Sequence, residues 1–317
     1  MGNAHRIALG LDYRQDLDAL MSNWDIAPPA TYLHTHAESS NVGVYAQDEW
    51  SLSRKLTLNL AGRYDYYSSF GGTANPRVAV IYHPFASTTL KFVYGQAFRA
   101  ANAYERDYTT PPPSAYLGNP NLSPEHMDSY ELAWEQKLNR DWRWTAELFQ
   151  ENMRDLITQT TDAGGNFTFA NSDAVRTRGV ELEADGRLTG GLLARCSYTL
   201  SDVKETKPSL APQTSANSPR HLAKAALSVP LYRDRFFASL EVQAMSNRRT
   251  VGGNEVPGFA TANFTLFGRE LVKNLEVSAS IYNLLDHRYR DPVSRDFTQD
   301  SIEQDGRTFR VKLTYHF

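Results

Sequence analysis

The chain has 317 residues, of which 41% are hydrophobic, 12% aromatic and 22% charged, and its formal net charge at pH 7 is -3. This composition excludes a disordered chain. The sequence has no apolar run near the roughly 18 residues that a spanning helix needs, which excludes a helical membrane protein. The small net charge excludes a polybasic surface for nucleic acid. The one cysteine, Cys196, follows an alternating apolar pattern and is predicted to be a small hydrophobic side chain.

Apolar and polar residues alternate along the whole chain in about fourteen runs, each near the ~10-residue length of a barrel strand. The clearest apolar faces, in chain order, are Ile7, Leu9, Leu11 and Tyr13; Leu56, Leu58, Leu60 and Tyr64; Leu90, Phe92, Tyr94 and Phe98; Tyr130, Leu132, Trp134 and Leu138; Val180, Leu182 and Ala184; Ala260, Ala262, Phe264 and Leu266; and Leu275, Val277, Ala279 and Ile281. The run over residues 42–52 is less regular, because Asp48 takes an apolar position. This period of two predicts strands with one wet and one apolar face.

The connections between these runs alternate in length. Short ones are residues 53–55, 84–87, 139–141, 189–191, 232–234 and 269–273, and long ones are residues 15–40, 100–124, 158–173, 203–218, 248–257 and 286–305. Short turns at one end and long loops at the other are typical of an up-and-down outer-membrane barrel, whose short turns lie in the periplasm. We therefore predict an all-β, antiparallel, up-and-down transmembrane β-barrel of about fourteen strands.

The last strand has the cleanest pattern. Its apolar positions, which are predicted to meet outer-membrane lipid, are Phe309, Val311, Leu313, Tyr315 and Phe317. Its alternate positions carry Arg310 and Lys312, which are predicted to face the lumen.

Several motifs are similar to a known family and occur in that family's order. They are GNPNLSPE over residues 118–125 with SYEL over 129–132, TRGVELE over 177–183, YNLLD over 282–286 with Tyr289, the terminal Phe317, and YAQDEW over 45–50. This set resembles the C-terminal part of the TonB-dependent outer-membrane receptors. The resemblance implies a plugged barrel of about 22 strands that imports ferric siderophores, cobalamin or a similar scarce ligand, driven by the TonB complex. It also implies insertion by the barrel assembly machinery through the last strand, in a Gram-negative outer membrane.

The resemblance covers residues 1–317 as barrel domain, without the family's signal, TonB box or plug. We therefore expect a C-terminal fragment of a receptor, with Met1 as an internal or assigned start, which could engage TonB only together with the missing N-terminal part. The alternative is a complete passive pore of about fourteen strands, since closed barrels of that size are permitted. The sequence has no serine-hydrolase elbow, phosphate loop or zinc-protease motif, and His221 is isolated, so we expect no enzyme and no cofactor.

The most aromatic loop is the candidate ligand site, with Tyr104, Arg106, Tyr108 and Tyr116. Aromatic faces with a guanidinium suit an anionic ferric chelate. The Pro-Pro-Pro run at residues 111–113 is predicted to be a stiff spacer.

Two other groups resemble metal ligands without a recognised spacing. One is His34, His36 and Glu38, which we expect to be solvated. The other is the acidic set Asp291, Asp296, Asp300, Glu303 and Asp305, which interleaves with Arg288, Arg290 and Arg295 and is expected to form surface ion pairs. No metal site is predicted.

Overall fold

The computed structural model describes residues 4–111, 115–208, 210–232, 235–294 and 297–317. The predicted start at Met1, most of the proline spacer, the turn at residues 233–234, and Arg295 and Asp296 lie outside the described residues. Within the described ranges no helix is long and apolar enough to cross a membrane.

Nearly all regular structure is β. The strands are β1 (His5–Ile26), β2 (Pro29–Ser51), β3 (Leu56–Tyr67), β4 (Gly71–Phe85), β5 (Thr88–Arg99), β6 (Tyr116–Leu117), β7 (Glu125–Lys137), β8 (Trp142–Thr161), β9 (Phe167–Arg187), β10 (Leu193–Thr206), β11 (Gln213–Thr214), β12 (His221–Tyr232), β13 (Phe236–Met245), β14 (Arg248–Arg249), β15 (Glu255–Val256), β16 (Phe259–Val272), β17 (Leu275–Tyr282), β18 (Arg290–Pro292), β19 (Ser301–Glu303) and β20 (Thr308–Tyr315). Helix α1 (Ala103–Asp107) follows β5, and a 3-10 turn (Thr189–Gly191) precedes β10.

One large sheet contains fourteen long strands, each hydrogen-bonded to its neighbour in the chain. Their order is β1-β2-β3-β4-β5-β7-β8-β9-β10-β12-β13-β16-β17-β20, with β11 attached to β10 and β6 attached to β9. All pairings along this path are antiparallel, and only the short β6 pairs in parallel. The predicted fold class and the number of about fourteen strands are confirmed.

The register keeps apolar residues opposite apolar residues across the sheet. Leu60 pairs with Val78, and Leu182 pairs with Tyr198. This apolar face is turned outward: Leu9 is 74% exposed, whereas Asp65 is 2% exposed. A soluble sheet buries its apolar face, whereas a transmembrane barrel carries an exposed apolar face of this kind on its outside.

The opposite, polar face carries cross-strand ion pairs. Arg63 donates to Asp65 and to Asp12, both at 2.7 Å, and Arg143 pairs with Asp185 at 2.6 Å. Charges cluster on this face because alternate side chains of each strand point to the same side of the sheet.

Two predicted long loops are wrong in part. Residues 15–40 are a continuation of β1 and β2, which pair from His5 opposite Trp50 to Ile26 opposite Pro29. Residues 158–173 are likewise mostly strand, with β8 and β9 paired up to Thr161 opposite Phe167. Polar residues there hid the strands, because backbone pairing does not require apolar side chains outside the membrane. A short turn at residues 68–70 also lies at the loop end, between β3 and β4.

The sheet is open at its two ends. Strand β1 pairs with β2, and β20 pairs with β17. Within the described residues β1 and β20 do not pair with each other.

Candidate functional site

Helix α1 lies at the loop end, where β5 and β7 meet. Arg99, the last residue of β5, is opposite Glu125, the first residue of β7. The helix begins with a capping box. The Glu105 backbone N–H donates to Asn102 Oδ1, and the Asn102 backbone N–H donates to Glu105 Oε2, both at 2.9 Å. These two bonds satisfy backbone donors that the first turn of a helix leaves unpaired.

Arg99 connects the helix to three strands. Its guanidinium donates to both carboxylate oxygens of Glu105, at 3.0 and 3.1 Å. It also donates to both oxygens of Glu125, at 2.6 and 2.7 Å. Glu125 Oε1 in turn accepts from the backbone N–H of Ile157 in β8, at 2.8 Å. Glu105 is 8% exposed, so α1 is fixed to the sheet through a buried carboxylate.

Three of the predicted site residues form one aromatic group. The rings of Tyr104 and Tyr108 are stacked with centroids 4.5 Å apart, and Tyr116 lies 6.5 Å from Tyr104 and 6.3 Å from Tyr108. Phe169 lies 5.9 Å from Tyr104, and Phe167 lies 5.2 Å from Tyr116. We call these five residues the tyrosine cluster. The sequence prediction missed both phenylalanines, although their alternate spacing was a strand signal.

The tyrosine cluster has both a fixed side and an open side. The amide of Asn23, from the β1–β2 hairpin, donates to the Tyr108 hydroxyl at 2.9 Å. Tyr104 remains 43% exposed. Partial burial, as the main cause, and the neighbouring Tyr116 and Tyr108, as the smaller ones, raise the pKa of Tyr104 above its ordinary value. A tyrosine hydroxyl is protonated at pH 7 even without this shift, so it can donate a hydrogen bond.

Arg106, the fourth predicted site residue, makes no cation–π contact with these rings in the part of the chain that the structure describes. Its Nε is buried and has no hydrogen-bond partner among the described residues. Its carbonyl lies against Gly118, where an added Cβ would be 2.5 Å from the Arg106 oxygen. Only glycine fits this close backbone approach.

A cavity of about 1050 Å³ adjoins the tyrosine cluster. Tyr116 and Phe167 line one part of it, and the β8–β9 hairpin contributes Thr160. The connections after β10 and β13 contribute Lys207 and Arg249. The arrangement can therefore offer both aromatic surface and polar groups to a molecule of cofactor size.

The last two long loops are joined by a buried cation. Arg248 is 5% exposed and pairs with Asp291 at 2.7 Å. It also donates to the carbonyl of Arg290 at 2.8 Å. Below it, Phe259 and Tyr289 are stacked with centroids 4.1 Å apart.

Asp300 extends this connection. It accepts from the hydroxyl of Thr250 at 2.6 Å, the amide of Asn254 at 2.8 Å and the backbone N–H of Gly252 at 3.1 Å. Glu303 lies 3.7 Å from Arg290. Glu303 thus pairs with the interleaved Arg290 as expected. Asp291 pairs instead with the buried Arg248 of the preceding loop, and Asp300 accepts from neutral donors.

His34 and His36 lie on β2 in the long hairpin. Their rings are 5.5 Å apart, and His36 Nδ1 lies 2.7 Å from Asp18 Oδ1. In the part of the chain that the structure describes, no three His, Cys, Asp or Glu side chains come together as a metal site.

The apolar positions of β20 lie opposite apolar residues of β17. Phe309, Val311, Leu313 and Tyr315 pair with Ile281, Ala279, Val277 and Leu275. Arg310 and Lys312 pair with Ser280 and Ser278 on the other face. Phe317 follows the strand, with its ring 5.4 Å from that of Tyr315.

Comparisons with known proteins agree with this architecture. The family model described as TonB dependent receptor-like, beta-barrel matches residues 1–284. The vitamin B12 transporter BtuB of Vibrio cholerae is 26% identical over 291 residues, which cover 88% of this chain and 43% of that protein.

Solved structures show the same fold at lower identity. The ferric enterobactin receptor PfeA of Pseudomonas aeruginosa superposes with a TM-score of 0.77 at 17% identity, covering 100% of this chain and 52% of that one. The copper transporter OprC gives 0.76 at 17% identity, covering 100% and 54%. The chain thus spans about half the length of the proteins it matches.

Proposed function

The chain belongs to the TonB-dependent receptor β-barrel family, and from this premise we propose that it forms barrel wall and ligand-binding loops of an outer-membrane receptor for a ferric siderophore or a cobalamin-like ligand. The observation that carries this proposal is the tyrosine cluster, whose three tyrosine rings lie within 6.5 Å of one another at the loop end. Such rings provide large, rigid contact area with a polar tip. Binding and passage, without chemical conversion of the ligand, are the proposed activity.

The partners follow from the two faces of the sheet. The apolar face would contact outer-membrane lipid, and β20 would be the strand that the barrel assembly machinery engages. Coupling to TonB is proposed for the intact receptor, because relatives are about twice as long as this chain. Those relatives are named for different ligands, namely vitamin B12, ferric enterobactin and copper. Their names therefore support the receptor class, and the choice among ligands is argued below from the residues at the loop end.

Equilibrium dialysis on the purified full chain in detergent tests the proposal. The probes are a ferric tris-catechol chelate, a neutral ferric trihydroxamate and cyanocobalamin. We expect at least one to bind, and Tyr104→Ala to weaken its binding roughly 2- to 10-fold, as the loss of one aromatic contact predicts. The matched control is Tyr13→Ala, which removes an exposed tyrosine from the apolar face of β1. Equal effects of the two substitutions would contradict the assigned site.

A further inference from the structure

The loop-end cavity is balanced in charge. Among the described residues that line it, the ionisable side chains are two carboxylates, Asp173 and Glu205, and two cations, Lys207 and Arg249. Lys207 Nζ lies 3.2 Å from Glu205 Oε1. Arg249 donates to the amide oxygen of Gln213 at 2.8 Å. The described part of the lining therefore presents no excess of positive charge to a ligand.

Neutral hydrogen-bonding side chains are the most numerous kind in the same lining. Ten of its 21 described residues are Ser, Thr or Gln. Asp173 is 7% exposed and accepts from the Ser172 hydroxyl at 2.8 Å. That hydroxyl also lies 2.8 Å from the hydroxyl of Thr158. The buried carboxylate thus accepts a hydrogen bond from a neighbouring hydroxyl, while residues such as Thr160 are exposed to the cavity.

Aromatic surface completes the lining at one wall. Tyr116 and Phe167 are inclined at 34° with centroids 5.2 Å apart, and both border the cavity. This wall is continuous with the tyrosine cluster through Tyr116. A ligand in the cavity would therefore meet flat apolar rings on one side and hydroxyl or amide groups on the other.

We propose that this cavity selects neutral ligands that combine many amide or hydroxyl groups with an apolar face, in preference to strongly anionic chelates. This inference rests on the proposed function and specifies its ligand class. Moving a multiply charged anion out of water is costly unless cations pair with it. The described lining has two cations against two carboxylates, and Lys207 already pairs with Glu205. Neutral amides and hydroxyls, in contrast, exchange water for the hydroxyl and amide groups of the lining at little cost.

The test compares the affinities of the full chain for the same three probes. Cyanocobalamin and the neutral ferric trihydroxamate represent the proposed class, and the ferric tris-catechol chelate carries three negative charges. We expect at least one neutral probe to bind tenfold or more tightly than the trianion, at an ionic strength near 0.15 M. Tighter binding of the trianion would overturn the inference and leave the proposed function standing. Failure of all three to bind would overturn the proposed function, and the inference with it.

A lysine introduced into the cavity tests whether the ligand binds there. Thr160→Lys adds a cation to the cavity and should raise the affinity for the trianion relative to the neutral probe by roughly tenfold. The matched control is Ser53→Lys, which adds the same cation at an exposed turn on the opposite end of the sheet. An unchanged ratio for Thr160→Lys would show that the ligand lies outside the cavity and would overturn the inference.

Discussion

At the scale of single residues, the guanidinium of Arg99 holds helix α1 in place. Arg99 donates to both Glu105 and Glu125, so Arg99→Ala would leave the buried Glu105 carboxylate without its cation. We expect the free energy that holds the helix against the sheet to fall by an amount near the low end of roughly 1–3 kcal/mol, because Arg99 is itself partly exposed. Hydrogen exchange at the amides of Ala103–Asp107 should accelerate. The control is Arg54→Ala at an exposed turn, and equal protection in both variants would contradict the assigned role.

Asp300 makes the last two loops sensitive to acid. The hydroxyl of Thr250 and the amide of Asn254 hold the pKa of its carboxyl below the ordinary value of 3.8. A lowered pKa stabilises the folded loops fully above that ordinary value, and the contribution is lost as the pH falls through the lower folded-state pKa. We therefore expect the amides of residues 250–254 to lose exchange protection below pH 3.8, after correction for intrinsic rates.

A substitution of Asp300 should produce the same loss of exchange protection at neutral pH. Asp300→Asn imitates the protonated carboxyl, so it should expose residues 250–254 at pH 7. Asp141→Asn, in an exposed turn at the other end of the sheet, serves as the control. Full protection in the Asp300 variant would mean that the carboxylate does not hold the loops together.

Local sequence predicted part of the site at this scale. Tyr104, Tyr108 and Tyr116 share one loop, so their proximity required little knowledge of the fold. Phe167 reaches Tyr116 only because β6 pairs with β9, which depends on a register that no short motif encodes. Arg106 was predicted from its charge, yet the short helix separates it from the stacked pair Tyr104 and Tyr108.

At the scale of one element, substitutions in β20 test which face of the sheet is apolar and which is polar. Val311 lies near the middle of β20 and is 72% exposed on the apolar face. Val311→Arg should cost about 2 to 4 kcal/mol in a bilayer, and Leu313→Arg, nearer the strand end, should cost less. Urea unfolding of the fraction of the chain that inserts into liposomes, isolated by flotation, measures both. The control is Lys312→Gln on the polar face, and a cost for it equal to that of Val311→Arg would reverse the faces.

The lone cysteine reports the environment of β10. Cys196 is exposed and lies between Ala184 and Ala225 on the apolar face. In the fraction of the chain that inserts into liposomes, isolated by flotation, Cys196 should react with an apolar maleimide and resist a charged one. Ser197→Cys in a Cys196→Ala background is the matched control, because Ser197 pairs with Glu183 and Lys224 on the polar face. The opposite reactivities would contradict this register.

The alternation of apolar and polar residues predicted strands well only where the strands carry the exposed apolar face, a region that we call the apolar band. There, lipid requires every second residue to be apolar, so the pattern is visible. Beyond the band both faces of a strand meet water, and the pairing of β1 with β2 across residues 15–40 leaves no such pattern. The sequence prediction therefore ended these strands where the apolar side chains end.

At the scale of the whole molecule, the apolar band ends at a definite position on the loop side of the sheet. Along β7, Leu132 and Tyr130 occupy the apolar face, and Asp128 then takes the same parity and pairs with Arg154. On β9 and β10, the residues that follow the last apolar side chain on this face are Arg178 and Asp202, which pair at 3.2 Å. Each of these strands thus changes from apolar to ionic side chains two positions beyond its last apolar residue, as is expected where a transmembrane strand leaves the hydrocarbon.

The two outer strands decide how the whole chain behaves in lipid. Strands β1 and β20 each have one partner within the described residues, so each leaves a row of backbone donors and acceptors on its free edge. Unpaired backbone groups are costly in hydrocarbon, so we expect the chain alone to insert poorly. Refolded samples should show no heat-modifiable monomer on gels and no steady leak of a small dye from liposomes. A heat-stable monomer with a steady leak would instead support the passive pore of about fourteen strands, closed by pairing of β1 with β20.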